Sequence, residues 1–176
     1  GPAERGAGLR FVDQVRGGVI PRGFIAAVEL GVREAMQRGL LGGHPVMDVE
    51  CVLLDGSTHP KDSSELAFKI AGARAFQEAA AEAGPVLLEP IVALEVTSPE
   101  AHVGAVMADL SRRRGQILDR DVRGREHTLR AEAPLSEVFG YAGALSALTH
   151  GLGRFTQQPS RYERAPAHLV PRAAQR

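Results

Sequence analysis

Apolar positions along the chain fall into short blocks of alternating period. Leu9 to Val15 is an apolar run closed by Gly17 and Gly18, and Pro21 then opens a stretch in which Phe24, Ile25, Val28, Val32, Ala35 and Met36 recur at helical spacing. The pattern predicts strand, glycine turn, helix. Gly39, Gly42 and Gly43 end that helix, and Met47, Val49, Cys51 and Leu53 alternate with Asp48, Glu50 and Val52 as in a half-buried strand. Asp55-Gly56-Ser57-Thr58-His59-Pro60-Lys61 is turn-forming and predicts a projecting loop. Asp62 with Glu65 reads as a variant capping box. The helix it opens carries Leu66, Ile70 and Ala73 on one stripe, with Phe68, Ala75, Phe76 and Ala79 beside it. Gly84-Pro85 stops it.

A second unit begins at Pro85. Val92, Leu94 and Val96 alternate along a strand, and Ser98 is placed to cap a helix with Pro99 at its first position and Val103, Val106, Met107 and Leu110 on its buried side. Gln116 to Arg120 reads as a strand, Val122 to Arg125 as a turn, and His127, Leu129, Ala131 and Ala133 as the inward face of the next strand. Leu135, Val138, Ala142 and Leu145 mark a helix, and Gly151 to Gln158 a last strand. The order β-α-β-β-α-β is that of a ferredoxin-like split unit. Pro166 and Pro171 break up the remainder, which predicts a docked or frayed tail.

Composition narrows the chemistry. The chain has 176 residues, 44% of them hydrophobic, enough to bury a core, and no run approaches the roughly 18 apolar residues of a membrane span. The N-terminus has no signal-peptide pattern, and the expectation is a cytoplasmic protein. With no Trp, two Tyr and six Phe, broad aromatic platforms for stacking bases are not expected. A single cysteine, Cys51, excludes an internal disulfide, and its strand position predicts a small buried hydrophobe. Net charge is zero, 21 basic against 21 acidic, yet from Ser111 onward 12 basic residues face 6 acidic ones and every base is arginine. Arginine's planar fork suits phosphate, so the C-terminal part is the place to look for RNA. The same composition also arises from a GC-rich genome. His44, His102, His127, His150 and His168 show no metal-ligand spacing, and no acid is paired with a nucleophile, so neither metal nor catalytic residue is assigned.

The collinear words Gly17-Gly18-Val19-Ile20-Pro21, Asp55-Gly56-Ser57-Thr58-His59, Asp62-Ser63-Ser64-Glu65, Ala67-Phe68-Lys69-Ile70-Ala71-Gly72, Arg113-Arg114-Gly115-Gln116-Ile117 and Phe139-Gly140-Tyr141-Ala142 resemble the C-terminal part of bacterial elongation factor G. The resemblance implies an α+β chain of two units. Residues 1–84 would be a truncated ribosomal-protein-S5-like βαβ unit corresponding to the later part of domain IV. Residues 85–165 would be a ferredoxin-like domain V, followed by a tail over 166–176. It also implies a fragment of a translational GTPase whose GTP and magnesium site lies elsewhere, because no Gly-x-x-x-x-Gly-Lys-Ser/Thr loop is present. Gly1-Pro2 resembles the scar of a removed tag, which fits a fragment. An open sheet edge is expected where the first domain IV strands are missing.

By the same resemblance, Asp55, Gly56, Ser57, Thr58, His59 and Lys61 form a tip that reaches A-site transfer RNA and messenger RNA in the decoding centre of the ribosome. Pro60 replaces the family's usual Glu and stiffens the loop. Arg112, Arg113 and Arg114, with His150, Gly151, Gly153 and Arg154, become candidate contacts to ribosomal RNA near the stalk base and the sarcin-ricin loop. At 150 and 152 the family usually has Gln and Arg, where this chain has His and Leu. Arginines ending a helix also complement its dipole, and a histidine in a polar turn is ordinarily just solvated, so the bland readings stand beside these. The expected partner is the ribosome, with no DNA and no membrane. Two rivals stay open: a ribosomal protection protein against tetracycline, and a small stand-alone ferredoxin-like enzyme.

Overall fold

A computed structural model describes residues 1–170. The chain divides into two compact units. One runs from Gly1 to Leu87 and is rejoined from Pro166, and the other spans Leu88–Ala165. The tail expected from 166 begins with a 3₁₀ turn at Ala167–Leu169 in the first unit, while 171–176 lie outside the described residues.

The first unit is built from β1 (Leu9–Asp13), α1 (Arg22–Arg38), β2 (Val49–Leu53) and α2 (Glu65–Glu82). β1 and β2 pair in parallel with Phe11 opposite Cys51, which puts Leu9, Phe11, Val49 and Cys51 against Val32, Ala35, Met36 and Phe76 of the helices. A second cluster forms around Ile20, Val28 and Phe68, with Phe24 and Phe68 stacked at 4.7 Å. The helices cross closely at Gly31, where a Cβ would lie 2.0 Å from the Lys69 carbonyl oxygen. At the far edge of β2, Gly1 and Glu50 exchange backbone hydrogen bonds and Ala3 N–H donates to Asp48 O, so residues 1–3 act as a strand stub there. The open edge therefore belongs to β1, which among the described residues pairs with β2 alone.

Three local expectations change. β2 begins at Val49, because Asp48 sits in the left-handed region (φ 56°) with its carboxylate accepting the Gly8 N–H at 3.0 Å. The cap of α2 is Ser64, whose Oγ accepts from Ala67 N at 3.1 Å, rather than Asp62. The buried face of α2 is Phe68, Gly72 and Phe76, and Leu66 and Ile70 are exposed, because α1 approaches the glycine side where backbones can come nearest.

The second unit contains β3 (Leu88–Pro99), α3 (Glu100–Arg112), β4 (Gln116–Arg123), β5 (Glu126–Pro134), α4 (Leu135–Val138), α5 (Tyr141–Leu148) and β6 (Arg154–Arg164). Its antiparallel sheet has the order β4-β5-β3-β6, the ferredoxin-like arrangement that the element order predicts. Val92, Leu94, Val96, Leu129, Ala131 and Ala133 face α3 and α5, where Val103, Val106, Leu110, Tyr141 and Leu145 complete the core. His127 is buried on the same face, its Nδ1 accepting from Arg120 Nε at 2.9 Å.

Here too, details differ from the pattern. Ser98 does not cap α3: its Oγ donates to Pro99 O, and the helix starts after Pro99. The helix expected over Leu135–Leu145 is broken by Phe139 and the left-handed Gly140 (φ 72°) into α4 and α5. β6 starts at Arg154 and not at Gly151, because residues 149–153 close the end of α5.

Candidate functional site

The tip loop grows directly out of β2. Asp55 to Lys61 are all exposed, and the root passes the buried Ile20 at Gly56, where a Cβ would lie 2.5 Å from Cδ1 of Ile20. A side chain there would displace the end of the Ile20 side chain. Asp55 Oδ1 accepts from Gly56 N at 2.8 Å, and Ser57 and Thr58 lead outward to His59.

The loop then ends in a tight turn. His59 O accepts from the N–H groups of Asp62 and Ser63 at 3.3 and 3.1 Å, while His59 N–H donates to Ser63 Oγ at 2.8 Å. The His59 ring faces Asp62, Nδ1 to Oδ2 at 2.9 Å. Lys61, exposed, makes no ion pair among the described residues. The hydrogen bonds of residues 59–63 give this end of the loop a defined direction.

The arginine triplet at the end of α3 is less uniform than its sequence. Asp109, buried on α3, takes Arg112 Nη2 at 3.0 Å and Arg113 Nε at 2.8 Å. Arg113 also donates to Glu137 O at 2.7 Å and lies 5.2 Å over the Tyr141 ring. Arg114, in the left-handed region (φ 59°), pairs with Glu89 through both terminal nitrogens, which holds its guanidinium charged. Arg113 and Arg114 are thus built into the fold, and Arg112, 72% exposed, is the member with its fork open to solvent. Beneath them the Tyr141 phenol is pushed up to about 12, first by burial and then by Asp109, with Arg113 opposing.

The remaining candidates close α5. Buried Thr149 donates to Leu145 O and accepts from Gly153 N–H, both at 2.7 Å, and Gly151 N–H reaches Ser146 O at 2.8 Å. Gly153 is required there, since a Cβ would meet Thr149 Oγ1 at 2.7 Å. His150 stands out in the left-handed region (φ 53°), edge-on to His102 at 5.3 Å, and Arg154 pairs with Glu126 at 3.3 Å. His150 therefore lies beside the start of α3, while Arg112 is at its end, about 15 Å further along at 1.5 Å per residue. The structure does not gather these two groups into one patch.

Sequence reading missed Asp62 and Ser63 as partners of His59, Asp109 as the anchor of the arginines, and His102. The first two sit within the matched words and are ordinary turn residues. Asp109 stands three and four residues before Arg112 and Arg113, a helical spacing that could have found it, whereas His102 is identified only by a contact the fold makes. Cys51 is a half-buried free thiol packed against the first core, its pKa raised chiefly by burial. A groove of ≈ 430 Å³ beside the β3–β6 irregularity is lined by Pro90, Leu135, Pro159 and Tyr162 among others, with Arg161 as its one charged residue. No group of three or more His, Cys, Asp or Glu is arranged for a metal among the described residues. No described helix is long and apolar enough to cross a membrane.

Comparison with known proteins gives a consistent result. The family described as "Elongation factor G, domain IV" matches residues 1–84, and "Elongation factor G C-terminus" matches residues 86–173. Elongation factor G of Aquifex pyrophilus is 50% identical over 169 residues, which is 96% of this chain and 24% of that protein. A crystal structure of a Thermus thermophilus protein superposes with a TM-score of 0.85 at 44% identity, covering 99% of this chain and 26% of that one. The chain thus spans about a quarter of the length of these relatives.

Proposed function

Since the chain belongs to the elongation factor G family, whose domain IV and C-terminal modules it carries, we propose that it is the arm of a cytoplasmic ribosomal translocation factor. In this reading the full-length protein hydrolyses GTP at a distant site, and this part enters the decoding centre of the ribosome. There it keeps transfer RNA and messenger RNA from slipping back. The chain has no phosphate-binding loop, so its residues do not fit GTP and magnesium. Its contribution is position and contact.

The observation that carries the proposal is the tip loop, exposed from Asp55 to Lys61 and closed by the hydrogen-bonded His59–Ser63 turn. Preorganised donors and acceptors make contacts without a large ordering cost. His59 and Lys61 are its RNA-facing groups. In the second unit, Arg112 and the His150 corner are the accessible contacts proposed for ribosomal RNA, with Arg113 and Arg114 shaping the surface behind them.

The test is His59→Ala in a full-length elongation factor G carrying this segment. Translocation should slow about fivefold, the equivalent of one hydrogen bond, with ribosome-stimulated GTP hydrolysis near normal. An unchanged translocation rate in a folded variant would remove the tip assignment.

A further inference from the structure

Phe139 is the most exposed large apolar residue among those described, at 75%, whereas the other five phenylalanines are buried or half-buried. Its backbone is held from both sides. Val138 and Tyr141 are sunk in the core, Gly140 turns the chain in the left-handed region (φ 72°), and Arg113 Nη1 donates to Glu137 O at 2.7 Å. The residues that follow, Gly140, Ala142 and Gly143, are small and exposed, and a Cβ at either glycine would meet nothing within 4 Å. No bulky neighbour in the chain screens the ring. The same Arg113 bond ties this turn to the end of α3, where Arg112 stands exposed. Charge at that end is matched, since Arg112 and Arg113 pair with Asp109, and Arg114 with Glu89 and, at 4.0 Å, Glu137.

We propose that Phe139 is a stacking contact for one unpaired base of ribosomal RNA, with Arg112 taking a phosphate of the same strand. This rests on the ribosome-binding reading above and deepens it. Three arginines set against three carboxylates release few counterions, so phosphate attraction alone holds RNA weakly at this corner. Stacking supplies a contact that needs no net charge. Every base has a π-face, and a base outside a helix can lay that face on an exposed ring. An apolar pocket of a protein fits the site less well, because it closes over an apolar rim and the exposed neighbours Ser136, Gly140, Ala142 and Gly143 offer little of one. A single ring on a held turn, with small residues after it, suits a flat partner.

In a full-length elongation factor G carrying this segment, Phe139→Ala should weaken ribosome binding about tenfold and leave the slope of affinity against salt unchanged. Phe139→Trp, which keeps a ring, should restore binding, and Phe139→Leu, which keeps only apolar bulk, should not. Arg112→Ala should instead lower the salt slope by about one. Full binding by Phe139→Ala overturns the stacking role, and so does weak binding by Phe139→Trp. Full binding by Phe139→Leu overturns it too, because an apolar protein pocket is then what covers the side chain. A clear loss of melting temperature in the free Phe139→Ala factor has the same consequence, the ring being then packed against another part of the same protein. Each of these results leaves the ribosome-binding reading standing. Failure of the unmodified factor to bind ribosomes removes that reading, and the stacking role falls with it.

Discussion

At the scale of single residues, three adjacent arginines have three different situations. Arg113 is the counter-ion of Asp109, a residue only 8% exposed, and it also ties Glu137 O and covers Tyr141. Removing it leaves Asp109 with the exposed Arg112 alone and frees Glu137 O and the Tyr141 face, so Arg113→Ala should cost about 2–4 kcal/mol in urea unfolding of the second unit. Arg112→Ala removes a solvent-exposed fork that shares the same acid, and its stability cost should stay below about 1 kcal/mol. On ribosomes the order should reverse once stability is allowed for, with Arg112→Ala weakening binding in a salt-dependent way. Equal destabilisation by both would show that Asp109 does not distinguish them.

Within elements, the same glycine-to-alanine change has opposite expected signs. Gly104 lies inside α3 with open space where a Cβ would go, and Gly104→Ala should stabilise by about 0.5–1 kcal/mol through helix propensity. Gly31 gains the same propensity, but its Cβ would sit 2.0 Å from the Lys69 carbonyl, a backbone atom that no rotamer change can move. Gly31→Ala should therefore destabilise by about 1–3 kcal/mol, since α1 and α2 must separate. Thermal melts of the two variants test the sign.

In the sheet, Arg161 holds the Glu132 carboxyl below the ordinary range, helped by Ser160 and opposed by partial burial. Asp48 is lowered similarly by the backbone N–H groups of Gly6 and Gly8. A carboxyl lowered by folding stabilises above its unfolded pKa, and that contribution disappears as pH falls through its folded value. The Tm of the chain should drop on acidification below about pH 5. Glu132→Gln should already be less stable at pH 7 and should converge with the parent chain once the pH has fallen through the lowered folded-state value. A gap independent of pH would mean that Glu132 contributes by packing alone.

At the scale of the whole molecule, the two units have unequal means of support. The second packs one face of a four-stranded sheet against α3 and α5. The first rests two helices on two strands, leaves one edge of β1 without a described partner, and exposes Leu54, Leu66 and Ile70. Exposed edges and apolar surface lower the free energy of local opening. Hydrogen exchange should find the amides of β1, β2 and α2 exchanging well before those of β3 and β5. Equal protection would imply that the β1 edge is satisfied in solution, for instance by a second copy, and sedimentation would detect that.

Periodicity alone carried the strands at 9 and 49, the two long helices, the β-α-β-β-α-β order and the inward set His127, Leu129, Ala131 and Ala133. These depend on which face of an element is apolar, a property written locally in the chain. The matched words carried the family for the same reason, being strings of neighbours in a fixed order. Tertiary structure decided what local patterns do not encode. Gly31 and Gly72 draw α1 across α2 and turn the Leu66–Ile70 stripe outward, and Gly140 breaks a helix whose apolar spacing runs straight through it. Glu89 claims Arg114 from 25 residues away, and His102 meets His150 across the helix pair. Even the tip needed coordinates, because only the turn's geometry tells which nitrogen of His59 faces Asp62. Sequence supplied the residues able to touch RNA, and the fold's internal charge pairs decided which of them remain free to do so.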